Sequence, residues 1–182
     1  ERQRPALLAA RERLAEAGAA LGRLPLVSER WAALGRAAPL AVDALLIGGR
    51  MAASPEPRNY LLLIQNSDER RATGGFISSV ALLRWEEGRL AGMDYRNSKD
   101  IEAYRAIHPA PPEALERIMG ASMLLLRDAN WSPDYPTSAE VIASLYEMDM
   151  ETPVDGVVAV DAALGALLLE ALGPLEVPAY DV

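Results

Sequence analysis

The sequence is poor in the residues that carry nucleophilic and zinc-dependent chemistry: it has no cysteine and one histidine among 182 residues. The absence of cysteine excludes disulfide bonds, thiolate nucleophiles and zinc sites built on cysteine. His108 lies between Ile107 and Pro109, a context that favours a loop residue over a metal ligand or a general base. No Gly-x-Ser-x-Gly pattern is present, so no serine–histidine–aspartate arrangement is predicted.

The sequence also lacks long apolar runs, and its carboxyl-terminal third lacks basic residues. No stretch approaches the roughly 20 apolar residues that a membrane-spanning helix needs. The formal net charge is −8, and after Arg127 there is no Lys or Arg, whereas eleven Asp and Glu follow. Such an acidic surface repels phosphate backbones, so we expect no general binding of nucleic acid.

Residues 1–50 predict a helical hairpin. Within residues 1–24, apolar side chains at spacings of three and four form one continuous stripe. Pro25 ends this helix, and Ser28 is a plausible N-cap for a second helix that ends at Gly48. The two helices either pack on each other or form a stalk or interaction arm. The stripe consists of Leu7, Ala10, Leu14, Ala17, Leu21 and Leu24.

The remainder of the chain predicts an α/β domain over residues 58–182, after a proline-containing linker at 51–57. A polar loop is predicted at 65–75, a turn at 86–89 and a second loop at 127–136. The segment 156–177 has a strand–helix–strand pattern, which implies a right-handed parallel crossover. Strands are predicted at 60–64, 76–85, 90–95, 156–160 and 175–177, and helices at 111–120, 137–148 and 162–172.

Two helix starts are predicted from local signals. Thr137 and Glu140 have the spacing of a capping box, which places the start of one helix at Thr137. Asp161 is predicted to cap the helix 162–172, which Gly173 and Pro174 would end.

The predicted loop at 65–75 is the first candidate site. The adjacent Arg70 and Arg71 supply planar, forked donors that suit phosphate or carboxylate. Gly74 and Gly75 permit either a close approach of the backbone to a ligand or a positive φ in a turn. The alternative is a solvated loop with surface ion pairs.

The predicted loop at 127–136 is the second candidate site. Its functional interpretation has Arg127 contacting an anion and Asp128 or Asp134 contacting a cation such as Mg²⁺. The alternative is a rigid loop whose aromatic side chains pack and whose Arg127 pairs with Asp128.

Arg96, at the end of the strand 90–95, is a further source of positive charge. It would join Arg70, Arg71 and Arg127 if these side chains converge on one anion. Pairing of the arginines with neighbouring aspartates is the alternative interpretation.

Several stretches resemble the DUF4012 family, a bacterial family of unknown function. They lie at 60–66, 69–77, 127–139, 155–161 and 172–174, and the resemblance covers about residues 58–182. The run Arg-Asp-Ala-Asn-Trp-Ser-Pro-Asp-Tyr-Pro at 127–136 is highly specific. Its signature residues are Asn130, Trp131, Asp134 and Tyr135.

That region is in turn distantly similar to the LytR-CpsA-Psr proteins, envelope enzymes that move glycans from polyprenyl-pyrophosphate carriers with Mg²⁺. The sequence Ser-Asp-Glu-Arg at 67–70 resembles their first loop, and Arg96 falls where their Pro-Arg-Asp turn would lie. The segments 154–161 and 172–175 resemble their final motif. The resemblance implies an α/β(/α) sandwich with a mixed sheet that continues beyond Val182.

The resemblance also implies a function. The protein would lie at the outer face of a bacterial cytoplasmic membrane, anchored by a segment outside this chain. It would bind a polyprenyl-(pyro)phosphate-linked glycan or a similar anionic lipid. The expected phosphate ligands are Arg70, Arg71, Arg96 and Arg127, and the expected Mg²⁺ ligands are Asp68 and Asp128.

Whether the domain also catalyses transfer stays open. Where the LytR-CpsA-Psr proteins have Arg-Ser-Asp-Thr, this chain has Ala-Thr-Gly-Gly at 72–75 and therefore lacks the metal-binding aspartate of that motif. The alternative function is that of a non-catalytic structural or assembly protein of the envelope. Such a protein would bind an envelope partner, or itself, through residues 1–50.

Overall fold

The chain divides into two compact units. One comprises Glu1–Glu56 with Glu86–Arg89, and the other Pro57–Trp85 with Leu90–Val182. The computed structural model describes residues 4–21, 23, 38–39, 42–43, 46, 48–49, 54, 56–101 and 107–172. Most of the predicted helix from Ser28, most of the linker 51–57 and the strand 175–177 lie outside these residues.

The first unit contains helix α1, Arg4–Leu21, as the apolar stripe predicts. Gly18 is buried, whereas Ala17 is exposed and Leu14 remains 38% exposed. The Arg11 Nε atom lies 2.6 Å from Asp43 Oδ1, a contact that ties α1 to a position 32 residues later. No helix within the described ranges is long and apolar enough to cross a membrane.

The second unit contains a four-stranded mixed sheet in the order β3-β2-β1-β4. Its strands are β1 Arg58–Arg71, β2 Gly74–Glu86, β3 Arg89–Asn97 and β4 Gly156–Asp161. Strand β1 pairs antiparallel with β2 and parallel with β4, so the predicted mixed α/β sheet is confirmed. The predicted turn between β2 and β3 is also confirmed, with positive φ at Glu87 and Gly88 as a two-residue hairpin turn requires.

Helices lie against both faces of this sheet. They are α2 Ser98–Ile101, α3 Glu113–Met119, α4 Tyr135–Met150 and α5 Ala162–Leu172, with a 3₁₀ turn at Leu126–Asp128. Side chains alternate along β1, so Leu61 and Leu63 face the core while Leu62 and Ile64 face the other side. The core face packs against α4, and the other face lies beside α5. The core residues include Ile77, Val80, Leu82, Leu126, Ile142, Leu145 and Tyr146.

The two predicted helix starts have different outcomes. Asp161 caps α5 as predicted, with its Oδ1 atom accepting a hydrogen bond from the Leu164 N–H at 3.0 Å. The predicted start of α4 at Thr137 is wrong, because Asp134 is the N-cap and its carboxylate accepts from the Thr137 N–H at 3.0 Å. Pro136 sits in the first turn, where its missing N–H has no intrahelical partner to lose.

His108 lies in a loop, as predicted, but its ring is fully buried. Its Nδ1 atom is 3.2 Å from the Leu124 carbonyl oxygen, and its Nε2 atom is 3.2 Å from Asp149 Oδ1 of α4. The imidazole therefore links two loop segments to α4 from inside the fold. This position favours a structural role for the ring.

Candidate functional site

The first candidate loop is a strand end. The predicted loop at 65–75 is wrong, because β1 continues to Arg71 and pairs through Arg70↔Gly75 and Arg71↔Gly74. Backbone pairing with β2 offsets the low strand propensity of this polar stretch. Neighbouring residues on a strand project to opposite faces, so Arg70 and Arg71 cannot act as one two-pronged clamp.

A bulge interrupts β1 just before this strand end. Asn66 pairs with Phe76 and Arg70 pairs with Gly75, so the residues 67–69 have no opposite partner on β2. Asp68 lies in this bulge, where its N–H donates to Asn66 Oδ1 at 3.1 Å. The predicted Mg²⁺ ligand Asp68 is exposed to solvent.

The packing of the hairpin itself requires glycine at positions 74 and 75. Gly74 has a φ of 132°, a region that other residues rarely adopt, and a side chain there would overlap the Gln65 amide. At Gly75 a side chain would overlap the backbone of Asn66 and Ser67 in the bulge. The close approach that the glycines permit is thus one between β2 and β1.

Arg71 and Arg127 converge on one carboxylate. Arg71 Nη2 donates to Asp128 Oδ1 at 3.2 Å, and Arg127 Nε lies 3.7 Å from Asp128 Oδ2. The Arg71 and Asp128 side chains are only 13% and 16% exposed. The Arg71 guanidinium also lies 5.3 Å from the centroid of the Phe76 ring, within the range of a cation–π contact. The predicted pairing of Arg127 with Asp128 is present.

Asn130 fastens the second loop to the hairpin end. Its side chain is fully buried, and its Nδ2 atom donates to the Gly75 carbonyl oxygen at 2.8 Å. Four buried polar atoms at the hairpin end and on Asn130 have no hydrogen-bond partner among the described residues. They are Gln65 Nε2, Arg71 Nε, Thr73 Oγ1 and Asn130 Oδ1. Buried polar groups in proteins are normally hydrogen-bonded, so this cluster is a place where a water or a ligand group would bind.

The other signature residues of the second loop hold the fold. Trp131 packs against the core, and the Tyr135 hydroxyl donates to the Val157 carbonyl oxygen at 3.1 Å. Burial raises the pKa of Tyr135 above its ordinary value. Hydrogen bonds from the Thr137 hydroxyl and N–H lower the pKa of the Asp134 carboxyl. Tyr135 and Asp134 therefore have structural roles: Tyr135 joins α4 to β4, and Asp134 caps α4.

Arg96 lies on β3, which β2 separates from β1. Its guanidinium donates twice to Asp94 Oδ2, each time at 3.0 Å, and the pair is exposed. Within the described ranges, no group of three or more His, Asp and Glu side chains could hold a metal ion. The proposed metal and phosphate roles of these residues stay predictions.

A groove lies on the face of the sheet opposite the core. Its volume is about 480 Å³, and its walls are mainly apolar. One wall is the sheet and the other is the first turns of α5, while Gln65, Asn66 and Asp161 line the end nearest the bulge. Its lining residues include Leu62, Ile64, Ser78, Val160, Ala162 and Leu164.

The sequence interpretation missed this groove, although two signals for it were present. The run Leu61-Leu62-Leu63-Ile64 is apolar at every position, which marks a strand that is covered on both faces. Helix α5 is apolar at nine of its eleven positions, with Gly165 and Glu170 the exceptions. Both signals require a second layer over the sheet, but neither shows that the layer leaves an open space.

Comparison with known proteins identifies the family. The family model for DUF4012, described as a protein of unknown function, matches residues 55–182, more than half of the chain. No curated protein and no solved structure matches the chain. The matched region contains the whole sheet, the groove and the Arg71–Asp128–Asn130 cluster. The chain therefore belongs to the DUF4012 family.

Proposed function

We propose that the α/β domain binds a lipid with an anionic, oxygen-rich headgroup, of the class of polyprenyl-(pyro)phosphate-linked glycans. It would do so at the outer face of a bacterial cytoplasmic membrane. The observation that carries the proposal is the apolar groove of about 480 Å³ that ends at Gln65. This volume lies in the usual range for small-molecule pockets, which combine apolar walls with a few polar groups.

The groove supplies the surface for the lipid tail. Leu62 and Ile64 project from β1 and remain half-buried, and Leu164 of α5 is 40% exposed. Apolar area that a ligand removes from water contributes roughly 25 cal/mol per Å² before the costs of binding. An isoprenoid or acyl chain matches these walls, whereas a free sugar or nucleotide would leave them exposed.

The hairpin end supplies donors for the headgroup. Gln65 lines the groove, and its amide lies against Gly74, next to the strand end that carries Arg70 and Arg71. The Gln65 Nε2, Arg71 Nε and Thr73 Oγ1 atoms are donors without a partner among the described residues. Phosphate oxygens accept from such groups, and an arginine strengthens the interaction through its charge.

The remaining predicted site residues have distinct places in this proposal. Arg127 lies beside the Arg71–Asp128 pair and adds positive charge there. Arg96 contacts Asp94 on β3, so we assign the headgroup to the hairpin end and not to Arg96. A Mg²⁺ ion held by Asp68 or Asp128 would neutralise phosphate charge, as glycan phosphotransfer would require.

Vesicle flotation of the whole chain tests the proposal. The vesicles are phosphatidylcholine alone, or with a few mole per cent of either undecaprenyl phosphate or the uncharged alcohol undecaprenol. We expect the protein to bind the phosphate-containing vesicles best. Leu164→Glu should weaken that binding at least about tenfold, because it places a charge in the groove. The matched control is Leu167→Glu on the same helix, at a residue that is 55% exposed and outside the groove lining.

Two further results decide the headgroup assignment. Arg71→Ala should reduce the preference for undecaprenyl phosphate over undecaprenol, because it removes the unpartnered Nε donor, whereas Arg89→Ala, on β3, should leave it unchanged. Equal binding to all three vesicles, or equal binding by the Leu164→Glu and Leu167→Glu variants, would contradict the proposal.

A second candidate function, assembly through the helical arm, is favoured by the exposed apolar residues of α1. Leu8 and Leu14 are 43% and 38% exposed. If the arm binds an envelope partner, Leu8→Asp with Leu14→Asp should abolish co-purification of that partner from membranes. Ala9→Asp, an exposed position about 100° or more around the helix from both leucines, should not. Retention of the partner by the double variant would exclude the arm as the contact surface.

A further inference from the structure

Strand β3 forms one edge of the sheet, and over the described residues no strand pairs with its outer side. It exposes three large apolar side chains: Leu90 by 50%, Met93 by 64% and Tyr95 by 59%. Natural proteins usually protect an edge strand with charged side chains, proline, a bulge or a very short length. Strand β3 has nine residues and no proline, and its charged residues Arg89, Asp94 and Arg96 are of both signs. Charges of both signs can pair with those of another strand, so they do not close this edge in the way that charges of one sign would.

The charges of β3 are arranged symmetrically about Tyr95. Asp94 and Arg96 flank it and share one face of the strand, where their side chains are 40% and 42% exposed. Tyr95 projects to the other face, and its hydroxyl donates to Ser79 Oγ at 2.8 Å. This bond holds the tyrosine in place while the flanking charges stay accessible to solvent.

We propose that β3 pairs antiparallel with β3 of a second copy of this chain, in a register centred on Tyr95. A two-fold axis through this point places Asp94 of each copy directly opposite Arg96 of the other. The two sheets then become one continuous sheet. In antiparallel pairs, opposite charges and facing aromatic rings stabilise the contact, whereas like charges destabilise it.

The register follows from the charges and not from the length of the strand. Pairing centred on Met93 would use all nine residues, but it would place Leu90 opposite Arg96 and Gly92 opposite Asp94. Pairing centred on Tyr95 uses the shorter stretch 93–97 and forms two Asp–Arg pairs and one Tyr–Tyr pair. The two-fold axis relates these two Asp–Arg pairs, so a change at one position alters both of them.

Two single charge reversals test the inference, with native mass spectrometry and sedimentation at several protein concentrations as the readout. We expect the unaltered chain to dimerise as its concentration rises. Asp94→Arg places arginine opposite arginine twice, and Arg96→Asp places aspartate opposite aspartate twice. Each variant should raise the dimer Kd at least about tenfold.

An equimolar mixture of the two variants is the decisive sample. Both variants lose the Asp94–Arg96 pair within the chain, so a purely intrachain role predicts no recovery on mixing. Pairing between copies predicts a heterodimer, because each variant then supplies the charges that the other needs. The Leu8→Asp, Leu14→Asp variant serves as a control and should dimerise as the unaltered chain does.

Three outcomes would overturn the inference. They are an unaltered chain that stays monomeric at its highest soluble concentration, single variants that dimerise normally, and a mixture that forms no heterodimer. Circular dichroism of both variants shows whether they are folded. The samples contain no lipid, so the result does not depend on the groove.

Discussion

The two faces of β1 carry similar apolar residues but have different surroundings. Leu61 and Leu63 are completely buried beneath α4. Leu62 and Ile64, their immediate neighbours, line a groove beside α5 and remain half-buried. One strand thus contributes to a filled core on one side and to an open space on the other. Hydrophobicity alone does not distinguish a residue that stabilises the fold from one that faces a ligand.

The helices explain the difference between the faces. Helix α4 has sixteen residues and buries Ile142, Leu145 and Tyr146 against the sheet. Helix α5 follows β4 directly, so its first turn stays close to the end of that strand. Small residues at its start, Ala162 and Gly165, leave space that larger side chains would fill.

The largest expected effect is a difference in unfolding free energy between substitutions on the core face and on the groove face of β1. Leu63→Ala should lower the free energy of unfolding by about 2–5 kcal/mol, because it opens a cavity in a packed core. Leu62→Ala should lower it by no more than about 1 kcal/mol, because the groove already contains open space. Urea unfolding at neutral pH measures both. Equal losses would mean that the groove side is packed as tightly as the core.

A pair of glycines gives the next comparison. Gly75→Ala should cost about 1–3 kcal/mol, because the new methyl group overlaps the backbone of the β1 bulge. Gly165→Ala should instead stabilise the protein by up to about 1 kcal/mol, because it lies in a helix and has open space around it. The same unfolding measurement checks both. A destabilised Gly165→Ala variant would show that the groove is narrower than described.

The smallest expected effect is a change in stability at acidic pH. It is tested at the N-caps of α4 and α5. The Asp134 carboxyl has a pKa below its ordinary value of 3.8, because it accepts hydrogen bonds from Thr137. Its contribution to stability is complete above that ordinary value and is lost as the pH falls through the lower, folded-state pKa. Asp134→Asn keeps a capping oxygen, so it should match the unaltered chain at pH 7 and lose less stability in acid.

The acid series also needs a control. Asp161→Asn, at the cap of α5, provides one under the same conditions. Urea midpoints at several acidic pH values measure the effect. If Asp134→Asn and the unaltered chain lose stability in parallel, the cap does not contribute to the acid sensitivity.

The ends of helices and strands could be predicted where they depend only on a few neighbouring residues. Asp161 and the turn at Glu87 and Gly88 were identified because a cap and a tight turn each depend on a few neighbouring residues. The start of α4 was misplaced because Thr137 and Glu140 have the capping spacing, although the carboxylate of Asp134 is the group that accepts from Thr137. An aspartate two residues before Pro136 was the overlooked signal.

Features that depend on distant residues could be predicted only in part. The stretch 65–75 has the composition of a loop, and only its pairing with β2 makes most of it a strand. The arginines were identified as a group, but strand alternation separates Arg70 from Arg71 and the sheet order places Arg96 on another strand. Only the packing of the 3₁₀ turn brings Asp128 to Arg71.

The parallel pairing of β1 with β4 also has a consequence for folding kinetics. The β1–β2 hairpin needs a two-residue turn, whereas Leu62 meets Val158 only after almost a hundred intervening residues have been ordered. Contacts between residues so far apart in sequence form slowly, because the entropy of closing the chain must be lost first. Both walls of the groove depend on this late contact. The groove is therefore expected to form last during folding, and hydrogen exchange should show its amides opening first in the native state.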